Sequence, residues 1–224
     1  MAEPNPEELF NLGMLSYDKQ DFSKAKKYFE KACDLKYGGG CGALGDLYDD
    51  VEKNSKKATQ LYTKACELKE GLGCKRLWSL YYYGRGVEKN LIKAAYFYSK
   101  ACDLKDGGGC GNLGVLYQNG QGVEKDLTKA AYFYSKACDL KDGLGCKDLG
   151  SLYYNGKGVE KDLIKAAYFY SKACELKESF GCGALAVLYI NGQGVEKNLT
   201  KADQYISKAC KLGDQEACEA LKEK

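Results

Sequence analysis

Between Leu127 and Cys138 the apolar residues Leu127, Ala130, Ala131, Tyr134, Ala137 and Cys138 fall at i, i+3, i+4, i+7, i+10 and i+11. That spacing defines one face of an α-helix and no face of a strand. Asp126 stands just before it, where a side-chain oxygen can accept from the unpaired amides of the first turn. Asn90, Asp162 and Asn198 hold the same place further along. A second helix runs through Cys146-Lys147-Asp148-Leu149-Gly150-Ser151-Leu152-Tyr153 and stops at Asn155-Gly156, where glycine can take the left-handed conformation that closes a helix.

The helix pair recurs. The segment Ala94 to Cys102 reads AAYFYSKAC, and the same nine residues return at Ala130 to Cys138 and at Ala166 to Cys174, a period of 36. Between the first two units the period shrinks to 33, because Tyr48-Asp49-Asp50-Val51 lacks the glycine loop carried later as Tyr83-Gly84-Arg85-Gly86-Val87. The loss falls in a loop, where length changes are tolerated. About thirteen helices follow, beginning near Pro6 and closing with a polar cap from about Gln215. No single pair can bury its apolar face alone, so the expected architecture is an all-α solenoid of stacked pairs.

All 12 cysteines obey the repeat and are spaced eight apart in pairs: Cys33 and Cys41, Cys66 and Cys74, Cys102 and Cys110, Cys138 and Cys146, Cys174 and Cys182, Cys210 and Cys218. Each pair joins the last turns of one helix to the first turn of the next, close enough for a disulfide. A regular framework of this kind belongs to an oxidising compartment, secreted or periplasmic. Met1 to Phe10 has neither a basic nor an apolar leader region, which leaves a signal peptide already removed or a recombinant product. Metal is disfavoured: the chain has no histidine and no Cys-x(2–4)-Cys spacing, and no cofactor is expected.

Gly-x-Gly-Val-Glu-Lys-Asp-Leu-x-Lys-Ala, then Tyr-x-Lys-Ala-Cys, then Leu-Gly-x-Leu-Tyr resembles the Sel1-like repeat, a relative of the tetratricopeptide repeat. With its paired cysteines the chain resembles the Helicobacter cysteine-rich proteins. The resemblance implies a right-handed α/α superhelix, read as one domain over 1–224: a tetratricopeptide-like unit at 1–36, Sel1-like repeats at 37–211 and a capping helix at 212–224. It also implies penicillin binding with weak β-lactamase activity, hence a β-lactam or peptidoglycan-derived ligand. The near identity of the central units fits a recent duplication or an engineered consensus array without a native function.

The residues do not supply the matching chemistry. Ser16 to Lys19 and Ser23 to Lys26 read Ser-x-x-Lys, and Tyr117-Gln118-Asn119, Tyr153-Tyr154-Asn155 and Tyr189-Ile190-Asn191 read Tyr-x-Asn, but no Lys-Thr-Gly or Lys-Ser-Gly occurs. Without histidine, Ser-His-Asp, Cys-His and His-Glu-x-x-His mechanisms are excluded. The catalytic residues of any hydrolase stay unidentified.

Composition narrows the partners. With 29% charged residues, only two prolines and a net charge of +3, the composition is that of a soluble folded protein, and no membrane span is expected. Its positive charge is lysine interleaved with acids, Arg76 and Arg85 being the only arginines, which argues against nucleic acid. A monomeric scaffold holding a protein or extended peptide on its concave face is the reading that fits best.

Specificity should then lie where the units differ. Arg76, Asn112, Asp148 and Ala184 share one position, Ser79, Val115, Ser151 and Val187 a second, and Tyr82, Gln118, Tyr154 and Ile190 a third, at i, i+3 and i+6 of one helix. The expected ligand-binding residues are therefore Arg76, Trp78, Ser79, Tyr82, Asn112, Gln118, Asp148, Ser151 and Tyr154. Trp78 replaces a small residue found as Gly45, Gly114, Gly150 and Ala186 elsewhere, and packing is favoured over display. Tyr98, Tyr134 and Tyr170 lie on the apolar stripe and read as core.

Overall fold

A computed structural model describes residues 5–222. Among them are thirteen α-helices and no strand: α1 (Pro6–Asp18), α2 (Phe22–Asp34), α3 (Gly38–Asp46), α4 (Ser55–Glu67), α5 (Gly71–Tyr83), α6 (Leu91–Asp103), α7 (Gly107–Asn119), α8 (Leu127–Asp139), α9 (Gly143–Asn155), α10 (Leu163–Glu175), α11 (Ser179–Asn191), α12 (Leu199–Lys211) and α13 (Gln215–Lys222). They group into two compact units, residues 1–106 and 107–224. Within each, every helix packs chiefly on its neighbours in the chain.

The expected caps form. The side chains of Asn90, Asp126, Asp162 and Asn198 each accept from the backbone amide three residues on. Of these, Asp126 has its carboxyl held below the usual range, first by the amide of Lys129. Gly156 closes α9 in the left-handed region with φ 68°. Two residues on, Gly158 has φ 74°, and a methyl group there would collide with the backbone of Leu127 at the start of α8. The Gly-x-Gly loop is therefore required twice, once to end a helix and once to let the loop lie on the helix before it.

In the shortened unit, α3 runs straight into a π-helical turn, Leu47–Val51, closed by Glu52 N–H donating to Leu47 O at 3.1 Å. The wider turn takes the place of the missing glycine loop. Tyr48 within it is buried, with the ammonium groups of Lys26 and Lys57 4.5 and 4.3 Å from its ring centre.

Five of the cysteine pairs form the eight-residue bridges just described, with Cα atoms 4.5–4.6 Å apart. Cys102 and Cys110 are disulfide-bonded too, and no described cysteine is free. The turn under each bridge departs from glycine chemistry: Lys36, Lys69, Lys105, Lys141 and Lys177 take φ between 60° and 69°. Only at Gly213 does glycine fill that position.

The core rests on one recurring contact. The rings of Phe29, Tyr62, Tyr134 and Tyr170, on the even-numbered helices, lie on a glycine of the preceding odd helix, respectively Gly13, Gly45, Gly114 and Gly150. Tyr98, Tyr134 and Tyr170 are buried, as their place on the apolar stripe predicts. Burial holds the hydroxyls of all three above the ordinary phenol range.

Candidate functional site

The ring-on-glycine contact is broken at two places. The first is Trp78 in α5, which fills the glycine position. Its indole stacks on Tyr98 with ring centres 4.6 Å apart and meets Tyr82 at 5.2 Å. It packs, as expected, but its Nε1 is buried without a hydrogen-bond partner.

Around it the predicted residues of unit 1 are largely engaged with one another. The Arg76 guanidinium pairs with Asp46 at 2.9 Å, and Asp46 also accepts from the Tyr62 hydroxyl at 2.7 Å. Burial raises the Asp46 carboxyl above its ordinary range, against the opposing pull of Tyr62 and Arg76. Ser79 Oγ donates to the Arg76 carbonyl at 3.0 Å, and Arg85 reaches Asp49 at 3.6 Å. Tyr82 lies against Tyr83, with Lys89 over its ring at 5.8 Å.

The second break is in unit 2. Where α8 and α10 present Tyr134 and Tyr170, α12 presents Ile206, and Ala186 stands in the glycine position of α11. The phenol ring that fills this space in the preceding units is absent. A cavity of about 600 Å³ opens there, lined by α9, α10, α11, α12 and α13. Its walls are chiefly apolar, with Phe180, Val187, Ile190 and Ile206 prominent, and Ser151, Tyr154 and Tyr170 add hydroxyl-bearing side chains to the lining. Tyr170 donates to Ser151 Oγ at 3.2 Å, and Ser151 donates to the Lys147 carbonyl at 3.1 Å. A volume of this order, apolar with a few converging polar groups, matches a ligand pocket.

Of the predicted residues in unit 2, Ser151 and Tyr154 line this cavity, and Asp148, Asn112 and Gln118 do not. Asp148 pairs with Lys147 at 3.1 Å, and burial holds its carboxyl above the usual range. Gln118 accepts from the Tyr134 hydroxyl at 3.1 Å, and Asn112 is exposed. Sequence reasoning missed Phe180, Ile206, Asp214 and Glu216. The signal was present in the register: AAYFYSKAC becomes ADQYISKAC at 202–210, which exchanges the ring for a branched aliphatic side chain.

Ser16 and Lys26 of the Ser-x-x-Lys motifs are otherwise engaged. Ser16 Oγ donates to the Leu12 carbonyl at 2.9 Å within α1, and Lys19 is exposed. Lys26 pairs with Glu52 at 2.6 Å, an interaction that holds its ammonium above the ordinary lysine range, opposite to what a general base needs. Among the described residues no cluster of metal-ligating side chains forms, and no helix is long and apolar enough to cross a membrane.

The chain matches the Sel1 repeat family at residues 40–70, 71–106, 109–142, 144–178 and 179–214, and the tetratricopeptide repeat at 6–37. HcpC of Helicobacter pylori strain J99, provisionally named a β-lactamase, is 61% identical over 59 residues, 25% of this chain and 20% of that protein. The aligned stretch thus spans a fifth of that relative's length. The solved structure of Helicobacter pylori cysteine-rich protein B is 42% identical, with a TM-score of 0.50, over 59% of this chain and 95% of that one. The structure of c5321, a protective antigen of uropathogenic Escherichia coli displaying an SLR fold, superposes with a TM-score of 0.88 and 25% identity, over 95% of this chain and 47% of the other.

Proposed function

Because the chain belongs to the Sel1 repeat family and is homologous to the Helicobacter cysteine-rich proteins, we propose that it is a secreted or periplasmic binding scaffold that holds an extended peptide on the odd-numbered helices of unit 2. The observation that carries this reading is the cavity of about 600 Å³ at Ile206, built where the repeat pattern breaks and flanked by Ser151 and Tyr154. Residues that merely packed the array would follow the repeat; Ala186 and Ile206 depart from it at the cavity. The bridges fit an oxidising compartment and hold each helix junction in place, so that little ordering remains to be done on binding.

The names of the relatives raise a second reading, β-lactam hydrolysis. Lys26 is held by Glu52 and Ser16 Oγ donates to the Leu12 carbonyl, which disfavours both Ser-x-x-Lys motifs as a nucleophile with its base. Binding therefore stands first.

Selection of a random peptide library against the oxidised chain tests the proposal. Binders should emerge and lose affinity on Tyr154→Ala, whose side chain reaches the cavity. A library that yields none, or only binders indifferent to that change, removes the reading. Covalent labelling of a serine by a labelled penicillin would instead establish the hydrolase.

A further inference from the structure

Resting on the peptide reading above, we infer that the unit 2 cavity selects an aliphatic or aromatic side chain with a lysine or arginine two residues along the same peptide. Two properties of the cavity carry this. Its lining is apolar where Ile206 and Ala186 replace the ring and glycine paired as Tyr134 with Gly114 and Tyr170 with Gly150, which leaves room for a side chain from outside. Among the described residues, the charged side chains that line it are both acidic, Asp214 and Glu216.

The two carboxylates differ in how they are held. Asp214 is the residue before α13, and its Oδ1 accepts from the Ala217 amide at 3.0 Å. That bond fixes the carboxylate beside the cavity. Glu216 is exposed and takes the place in its unit that Phe180 takes in the one before. Among the described residues, no lysine or arginine lines the cavity beside the pair. Lys147, which lies 5.9 Å from the Phe180 ring centre, is committed to Asp148.

A ligand that buries an apolar group here while bringing a cation to the rim satisfies both features, and one that brings an anion meets repulsion. In an extended peptide, residues i and i+2 point the same way. The anchor and the cation are thus separated by one residue.

The test uses the full oxidised chain and the labelled peptide Ser-Gly-Phe-Ser-Lys-Ser-Gly, with two controls in which alanine replaces phenylalanine or glutamate replaces lysine. The parent should bind, and the alanine control should bind roughly tenfold more weakly, as for loss of a buried anchor. The glutamate control should bind about threefold to tenfold more weakly at low salt, with the gap closing as salt rises.

The double change Ala186→Gly with Ile206→Tyr restores the ring-on-glycine contact of the other units. It should fold, as followed by its circular dichroism melt, and lose the parent peptide by roughly tenfold. Glu216→Gln, at an exposed position, should reduce only the preference for lysine over glutamate. Equal binding of all three peptides, undiminished binding to the filled variant, or no binding of the parent would each overturn the inference. Library binders that depend on Tyr154 yet are untouched by the filled variant would sink this inference and leave the scaffold reading standing.

Discussion

Gly150 and Tyr170 are locked together: a methyl group on Gly150 would lie 2.8 Å from the Tyr170 ring, whose hydroxyl donates to Ser151 at the edge of the cavity. Alanine is favoured over glycine in a helix by about 1 kcal/mol, but the ring is buried and can move only by displacing its neighbours. Gly150→Ala should therefore lower the stability of unit 2 by about 1–2 kcal/mol in urea unfolding. An unchanged or higher midpoint would show that the ring yields freely.

The same geometry reverses the usual preference at Trp78. Removing the indole frees Tyr98 to settle on its helix as Tyr134 settles on Gly114. Trp78→Gly should accordingly be more stable than Trp78→Ala, although helix propensity alone favours alanine by about 1 kcal/mol. Thermal melts of the two variants decide the order.

Closing so short a loop is worth roughly 2–3 kcal/mol by the chain-entropy account. Replacing Cys174 and Cys182 together by alanine should cost about that much, read by hydrogen exchange of α10 and α11, because a repeat array need not unfold as one body. Exchange unaffected by the change would show that packing alone holds the junction.

The carboxyl of Asp148 is raised, chiefly by burial, so its protonated form is the one favoured by folding. That contribution is fully present below the ordinary carboxylate range and is lost as pH rises through the elevated native value. Asp148→Asn, which stays neutral, should stabilise the protein at neutral pH, and its advantage should shrink as the solution is acidified. Denaturation midpoints across acidic to neutral pH check the sign; an advantage that grows on acidification would contradict it.

Lys141 occupies the left-handed conformation that glycine adopts without a Cβ penalty. Lys141→Gly should raise stability by about 0.5–1 kcal/mol if relief of the backbone outweighs the added freedom of the unfolded chain. A lower melting temperature would place that balance the other way.

Helix periodicity, the Asp and Asn caps and the cysteine spacing were all legible because each is a local signal repeated several times. The left-handed lysines were not, since lysine carries no preference for that conformation and only the closing of the turn imposes it. The site was half legible. Ser151 and Tyr154 stood out as variable positions on one helix, whereas Ile206 becomes informative only once the neighbouring tyrosines are known to rest on glycine. Arg76 stood out as a variable position of its helix, but its partner Asp46 lies in the preceding odd helix, beyond the reach of any local pattern.

The π-helical turn at Leu47–Val51 has a bearing on how such arrays diversify. It acts as a length buffer: three residues are gone, yet the following helix still opens on an asparagine cap at Asn54 and still presents Tyr62 to Gly45. Modules of unequal length can therefore be shuffled by recombination without losing phase, and natural variation is free to edit the connections while the side chains facing a ligand keep their register.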